Sequence, residues 1–209
     1  MRRLSHITPR YIKARLALRL YEAKNPHSPW LTAESIRFLN TWLLSKDVGL
    51  EFGSGRSTTW FASRVSHLIS VEHDAKWYRK VANDLSLLTL SGKVRYLLHE
   101  DGIRESAASG YVRVVSEIQN DSLDFCLVDG VSRDHCAISV IPKIRPGGVI
   151  IIDNVNWYLP CNSHAPNSRS RETGCASRVW EDFYTSIRPW RHFWTSDGVT
   201  DTAIFFKPT

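Results

Sequence analysis

Long hydrophobic runs are missing from this chain, and cysteine is scarce. No uninterrupted apolar stretch approaches the ~18–20 residues that a helix needs to cross a bilayer. The amino-terminal residues lack the apolar core and small-residue cleavage site of a secretory signal, so we expect none. Neither a C-x-x-C pair nor a zinc-binding spacing occurs among the four cysteines, Cys126, Cys136, Cys161 and Cys175. We therefore expect reduced, structural thiols in a cytoplasmic protein.

The rest of the composition is that of an ordinary globular domain. The chain has 209 residues, of which 43% are hydrophobic and 23% charged, and this length suits one domain with a sizeable core. Neither an internal repeat nor a linker marks a second domain. We expect residues 1–46 to form a helical segment that belongs to the same domain as residues 47–209.

Positive charge is concentrated at the amino terminus. The net charge is +6, and residues 1–24 hold seven Lys and Arg but one acid, Glu22. Ile12, Leu16 and Leu20 recur at helical spacing within this segment. Such a helix either packs on the domain with its arginines in solvent, which we favour, or rests on an anionic membrane surface or a nucleic acid.

Apolar strands alternate with helical segments from residue 48 onward. The sequence predicts helices near 33–44, 75–88 and 176–187, and a long irregular loop over 156–173. The predicted strands are 48–52, 68–72, 94–98, 124–128, 149–152, 191–195 and 202–207. This alternation favours an α/β fold with a doubly wound, mostly parallel, Rossmann-like sheet, and we expect an antiparallel carboxyl-terminal strand. Ligands bind such sheets beyond the carboxyl ends of the strands.

A glycine-rich turn follows the first predicted strand. Gly53 and Gly55 let the backbone turn sharply and let a ligand approach, and Ser57 or Thr58 is expected to cap the next helix. A dinucleotide loop would have a third glycine where Thr58 stands, and Glu51 would repel a phosphate. A cationic ligand suits the turn better. We expect it to be held by Glu51, Gly53, Ser54, Gly55, Ser57 and Thr58.

A second carboxylate ends the next strand. Glu72 follows Gly53 by 19 positions, close to the ~20-residue interval at which an acid binds ribose hydroxyls in a β-α-β unit. The alternative is that Glu72 and Asp74 only begin the following helix, because acids suit a helix amino terminus.

Polar residues also end the fourth and fifth strands. Asp129 follows the fourth, and Asp153 and Asn154 follow the fifth. Because these ends lie side by side in a parallel sheet, the three side chains are candidates for a Mg²⁺ site that activates a substrate hydroxyl. Without a metal, Asp129 would contact the substrate directly, and Asp153 and Asn154 would cap the next segment.

The Glu51-x-Gly53-x-Gly55 turn with Glu72 resembles motif I of the class I S-adenosylmethionine-dependent methyltransferases. The resemblance covers roughly residues 47–155 and implies that S-adenosylmethionine is the cofactor. It also implies that Asp101, in the segment after the third strand, lies near the adenine amino group.

The pattern of Asp129, Asp153 and Asn154, with Gly147 and Gly148 before the last strand, is similar to a narrower group. It resembles the metal-dependent catechol and caffeoyl-coenzyme A O-methyltransferases. That resemblance implies Mg²⁺ and O-methylation of a small hydroxylated molecule.

The chain departs from this narrower group at the catalytic base. Those enzymes carry a lysine shortly after the first metal aspartate, whereas this chain has Arg133, Asp134 and His135. His135 is the candidate substitute, since imidazole accepts protons near neutral pH, although a helix-surface histidine without a catalytic task is an equal alternative. Arg133 either binds an anionic substrate group or pairs with Asp134.

Aromatic residues near the candidate site form two groups with different expected roles. Trp157 and Tyr158 follow Asn154 closely, so we expect them to form a wall that faces the acceptor. Trp77 and Tyr78 lie in an amphipathic helix and are expected to pack against the domain.

The leading hypothesis is therefore a methyltransferase. The alternatives are an inactive cofactor-binding module that acts through its basic amino-terminal helix, and a nucleic-acid methyltransferase. The missing Asn-Pro-Pro-Tyr-like motif after the fourth strand argues against the latter. A nicotinamide oxidoreductase is disfavoured by Glu51 and Thr58.

Overall fold

The predicted strands form and join into a single sheet. A computed structural model describes residues 8–104 and 106–209, so residues 1–7 of the basic segment lie outside the described residues. The strands are β1 Val48–Phe52, β2 His67–Glu72, β3 Val94–Leu98, β4 Leu123–Val128, β5 Ile144–Asp153, β6 Arg191–Ser196 and β7 Asp201–Phe206. Their bounds agree closely with the sequence prediction except at β5, which begins earlier because Ile144 pairs with Leu123 before an irregularity that ends where Val149 pairs with Phe125.

The helices also follow the predicted order, apart from a short helix between β3 and β4 that was not predicted. They are α1 Pro9–Lys24, α2 Ala33–Trp42, α3 Arg56–Ala62, α4 Ala75–Leu87, α5 Gly110–Arg113, α6 Arg133–Val140 and α7 Arg178–Ser186. Asp74 begins α4, and its carboxylate accepts a hydrogen bond of 2.7 Å from the Trp77 backbone N–H. The helix-capping role is thus carried by Asp74 rather than by Glu72.

The sheet has the predicted doubly wound topology. In the described part of the chain its order is β3-β2-β1-β4-β5-β7-β6, with the first five strands parallel. β7 runs antiparallel between β5 and β6, which confirms the expected antiparallel carboxyl-terminal strand. Strand order reverses between β1 and β4, and the crevice beyond their carboxyl ends is where such sheets bind ligands.

The core lies on both faces of the sheet. Residues of α2, α3 and α4 cover one face, and residues of α5, α6 and α7 cover the other. Every residue of β4 is buried, which explains why its sequence is a nearly continuous apolar run. The sheet therefore holds the strand ends rigidly where the polar residues begin.

The segment after β5 is largely irregular, as predicted. It begins with a short 3₁₀ turn, Val155–Trp157, and a bridge joins Pro160 to Arg169 before α7 starts. Among the described residues the cysteines are free thiols, with Cys126 and Cys136 buried. None of the described helices is long and apolar enough to cross a membrane.

Candidate active site

The turn after β1 touches the turn after β4. Gly53 has a φ of +89°, a conformation that L side chains rarely adopt. A Cβ on Gly53 would lie 2.5 Å from the backbone nitrogen of Gly130, and one on Gly130 would lie 2.8 Å from the Gly53 nitrogen. Both positions therefore require glycine. Their contact brings Gly53 and Asp129 to the same point of the crevice.

Thr58 links the glycine turn to the buried Glu51. Its hydroxyl accepts a hydrogen bond of 2.9 Å from the Gly55 N–H and donates one of 2.6 Å to Glu51 Oε2. The helix cap is Gly55 itself, so the prediction that Ser57 or Thr58 caps α3 was wrong. Thr58 lies three residues inside the helix end, and its side chain reaches back to the cap.

Glu51 lies beneath the turn. The side chain is fully buried, and Oε2 also accepts a hydrogen bond of 2.7 Å from Ser70 Oγ. Burial raises the pKa of Glu51 to about 7, with Asp129 adding to the rise and the hydroxyls of Ser57, Thr58 and Ser70 opposing it. The carboxylate thus orders the turn from below.

Glu72 is joined to the turn from the neighbouring strand. Its Oε2 accepts hydrogen bonds from the backbone N–H and the hydroxyl of Ser54, at 3.0 and 2.7 Å. Its Oε1 accepts two more from the backbone N–H groups of His73 and Asp74, at 2.7 and 2.9 Å. The two halves of the predicted cofactor motif therefore meet, with the carboxylate held in one orientation.

A cavity of about 690 Å³ opens above this turn, within the size range of ligand sites. We call it the glycine-turn cavity. Its walls come from the ends of β1, β2 and β4 and from α4, and they include Trp30, Gly53, Ser54, Glu72, Trp77, Asp129, Gly130 and Val131. Trp77 was expected only to pack, yet it lines this cavity and its indole N–H donates to the Ser54 carbonyl at 2.6 Å. Tyr78 does pack as expected, stacked on Tyr96.

Five predicted cofactor residues lie outside the wall of this cavity, and one of them, Gly55, lines a neighbouring cavity of about 360 Å³ together with Trp30 and Trp77. Glu51 and Thr58 support the turn from within, and buried Ser57 follows it. Asp101 is turned elsewhere, because its carboxylate accepts hydrogen bonds from the backbone N–H groups of Gly110 and Tyr111 at 2.5 and 3.3 Å. Asp101 is not among the described residues that line the glycine-turn cavity.

A second cavity of about 580 Å³ adjoins the first beneath α1. We call it the α1 cavity. Its walls combine α1 with the ends of β4 and β5, and they include Tyr11, Arg15, Leu18, Glu22, Trp30, Asp129, Asp153, Asn154 and Trp157. Trp30 and Asp129 line both cavities. Asp129 thus lies where a ligand in one cavity would meet a ligand in the other.

The helix α1 packs with one side and exposes the opposite side. Tyr11 and Leu18 line the α1 cavity, whereas Ile12, Leu16 and Leu20, the apolar residues noted at helical spacing, are 48%, 55% and 64% exposed. The contribution of α1 and Trp30 to the cavity walls was not predicted. Neither residue type nor spacing signals that a terminal helix folds over the strand ends.

The three candidate metal ligands do converge, and Arg133 binds all three residues. Its guanidinium donates to Asp129 Oδ1 at 2.8 Å, to Asn154 Oδ1 at 3.0 Å and to the Asp153 carbonyl at 2.7 Å. Arg133 therefore pairs with Asp129 rather than with Asp134, against one of the two predicted roles. Asp134 instead accepts a hydrogen bond from Ser177 Oγ, which begins α7.

A divalent ion does not fit this arrangement. The guanidinium uses oxygens of Asp129 and Asn154 that the ion would need, and its own charge would repel a second cation. Asp153 Oδ1 accepts a hydrogen bond of 2.8 Å from Thr202 Oγ1, and burial together with Asp129 raises the pKa of Asp153 well above its usual value. Among the described residues no cluster of His, Cys, Asp and Glu is suited to a metal. The arrangement of these residues therefore does not fit the Mg²⁺ site predicted at Asp129, Asp153 and Asn154.

His135 and Tyr158 are not brought to the cavities. His135 lies in α6, and it is absent from the described residues that line either cavity. Trp157 lines the α1 cavity as expected, but Tyr158 stacks on Trp180 with ring centroids 4.9 Å apart. Of the residues proposed to act on the acceptor, the structure thus brings Asp129, Asp153, Asn154 and Trp157 to the α1 cavity.

Comparison with known proteins finds solved structures that are similar to this chain. No family model and no curated sequence matches the chain. The O-methyltransferase TomG from Streptomyces achromogenes, solved with S-adenosylmethionine, is 14% identical with a TM-score of 0.60, over 97% of this chain and 91% of its own. A provisionally assigned caffeoyl-CoA O-methyltransferase from Staphylococcus aureus is 17% identical with a TM-score of 0.61, over 92% and 91%.

Nucleic-acid enzymes share the architecture more distantly. The tRNA (m1A58) methyltransferase TrmI from Aquifex aeolicus is 12% identical with a TM-score of 0.51, over 82% of this chain and 66% of its own. At such identities the likeness establishes the fold. The chain has the fold of the class I S-adenosylmethionine-dependent methyltransferases, and the resemblance to that family is confirmed at this level.

Proposed function

We propose that this protein is an S-adenosylmethionine-dependent methyltransferase that methylates a hydroxyl oxygen of a small acceptor. The observation that carries the proposal is the position of Asp129 at the junction of the glycine-turn cavity and the α1 cavity. A methyl donor in the first cavity and an acceptor in the second would meet beside this carboxylate.

The glycine-turn cavity fits the cofactor. A Cβ on Gly55 would lie in van der Waals contact with Trp77, 3.9 Å from its ring atoms, so the lack of a side chain leaves room beside Trp77 for a ligand to approach the backbone. Glu72 presents a fixed carboxylate suited to ribose hydroxyls, and Trp77 presents an aromatic wall. When bound, S-adenosylmethionine supplies an electrophilic methyl group on a cationic sulfur.

Asp129 is suited to accept the acceptor's proton. Burial raises the pKa of Asp129, which increases its basicity, while the charge and the hydrogen bond of Arg133 oppose the rise and favour the ionised form. Trp30 and Trp157 form apolar walls around this carboxylate, and Arg15 and Glu22 give the α1 cavity charges of both signs. Alignment of the hydroxyl by these walls contributes to catalysis, because an in-line displacement depends on geometry.

The size of the α1 cavity favours a small acceptor over a nucleic acid. Its volume of about 580 Å³ is typical of small-molecule sites, and α1 covers it. Structural similarity to TomG supports a small-molecule acceptor. Because the chain is also similar to TrmI, tRNA is included as a comparison substrate.

Two measurements test the proposal. Calorimetry with S-adenosylhomocysteine tests cofactor binding, and transfer of a labelled methyl group to a panel of catechols, other phenols and tRNA tests activity and acceptor class. We expect binding and transfer to a phenol. Binding without transfer to any acceptor would instead support the inactive-module hypothesis, and transfer to tRNA alone would favour the nucleic-acid alternative.

A further inference from the structure

Arg133 satisfies all of its hydrogen-bonding capacity at the ends of β4 and β5. Besides the bonds to the three candidate metal ligands, Nη2 donates to the Asp129 carbonyl at 2.5 Å and Nε to the Gly130 carbonyl at 2.8 Å. A guanidinium has five N–H donors, and five acceptors surround this one. The side chain is 14% exposed and is not among the described residues that line either cavity, so the guanidinium lies behind the Asp129 and Asn154 side chains that do line the α1 cavity.

We propose that Arg133 is a built-in cation that takes the place of a divalent ion at the acceptor site, so that this chain works without a metal. The inference rests on the proposed function and names a feature of the same site. Asp129 and Asn154 each give a side-chain oxygen to the guanidinium, the type of ligand that a hard cation would use. An arginine is always protonated, so its charge persists across the physiological pH range.

The backbone before α6 directs Arg133 into this position. Ser132 has a φ of +48°, in the left-handed region, and its hydroxyl donates to the Gly102 carbonyl at 2.9 Å. This turn places Arg133 at the first residue of α6, four residues after Asp129. The arginine is thus a positioning residue that orients the Asp129 carboxylate.

The test is Mn²⁺ binding to the whole chain. Binding is measured by calorimetry and by the loss of the electron paramagnetic resonance signal of the free ion. We expect the wild type to show no saturable Mn²⁺ binding at concentrations that saturate Arg133→Ala. Removing the guanidinium frees the Asp129 carboxylate, the Asn154 amide oxygen and the Asp153 backbone carbonyl for the ion, so this variant should gain affinity by at least about ten-fold. The gain should disappear in the Arg133→Ala, Asn154→Ala double variant.

Arg178→Ala is the matched control. Arg178 pairs with Glu181 and Asp182 on the exposed face of α7, so its loss removes one guanidinium without vacating the site. Its Mn²⁺ affinity should equal that of the wild type. A gain of the same size in Arg178→Ala would show that net charge explains the effect, and would overturn the inference.

Two further results would also overturn it. The first is tight, stoichiometric Mn²⁺ binding by the wild type, a measurement that requires no variant to fold. The second is an Arg133→Ala protein that keeps its circular dichroism spectrum and S-adenosylhomocysteine affinity but gains no Mn²⁺ affinity. Neither measurement uses an acceptor, so these failures are separable from failure of the proposed methyl transfer.

Discussion

Ser54 donates two hydrogen bonds to one oxygen of Glu72, through its backbone N–H at 3.0 Å and its hydroxyl at 2.7 Å. This pair connects the turn after β1 with the end of β2. The same hydroxyl lies 2.6 Å from the Tyr96 hydroxyl on β3, so three adjacent strands meet at Ser54. The proposed cofactor site is consequently ordered by protein contacts alone.

Gly55→Val should abolish S-adenosylhomocysteine binding without unfolding the protein. An added side chain would fill the space beside Trp77 and next to the glycine-turn cavity, where the ligand is proposed to approach the backbone, and it would not enter a packed core. Calorimetry measures the affinity, and the thermal midpoint checks folding. Gly92→Val is the control, because a Cβ there meets nothing within 4 Å and lies outside the site. Unchanged affinity in Gly55→Val would contradict the cofactor assignment.

Glu72→Ala should weaken S-adenosylhomocysteine binding by about ten-fold or more. The substitution removes charge-assisted hydrogen bonds to ribose, each worth about 1.5–3 kcal/mol, and also frees Ser54. Glu72→Gln should lose less, since one carbonyl oxygen remains. The control is Glu117→Ala, which removes an exposed carboxylate paired with Arg95. Equal affinities for wild type and Glu72→Ala would leave the carboxylate a purely structural role.

Asp129→Asn should lower the rate of methyl transfer by about 100-fold or more, the usual size of general-base effects. The amide keeps the shape and the hydrogen bond from Arg133 but cannot take a proton. Affinity for S-adenosylhomocysteine, which lacks the sulfonium charge, should change by less than about three-fold. His135→Ala gives the comparison between the two predicted bases. A larger loss in His135→Ala would reverse the assignment made from the cavities.

Glu51 should make the protein less stable as the pH rises from about 4.5 to 7. The pKa of this carboxyl is raised from 4.5 to about 7 by burial, so the folded state binds a proton that the unfolded state releases in this window. The stabilisation is complete below about 4.5 and lost above 7, and a shift of this size corresponds to about 3 kcal/mol.

Glu51→Gln isolates this contribution. Denaturant unfolding between pH 4 and 8 gives the free energy of unfolding for both proteins, and their difference should change with pH in the stated direction. Glu117→Ala, at an exposed position, should follow the wild-type pH dependence. A flat difference between wild type and Glu51→Gln would show that burial does not shift this pKa.

Local sequence predicted the strands and the glycine turn well. β1 and β3 have the predicted bounds, because a polar turn that contains glycine follows each of them and marks where the strand ends. The juxtaposition of Gly53 with Glu72 followed from the same topology, since parallel strands end on one edge. These features depend on short-range chemistry that a single sequence displays.

The tertiary structure determined which group lies between the ends of β4 and β5, namely the Arg133 guanidinium. The sequence placed Asp129, Asp153 and Asn154 together but offered Asp134 or a substrate anion as the partner of Arg133. The left-handed turn at Ser132 directs that guanidinium into the cluster, and a backbone conformation of this kind leaves no residue signature when the residue is not glycine. Similarly, α1 covers the second cavity through contacts between distant segments. Sequence thus determined which groups gather at the strand ends, whereas packing determined which charge lies among them.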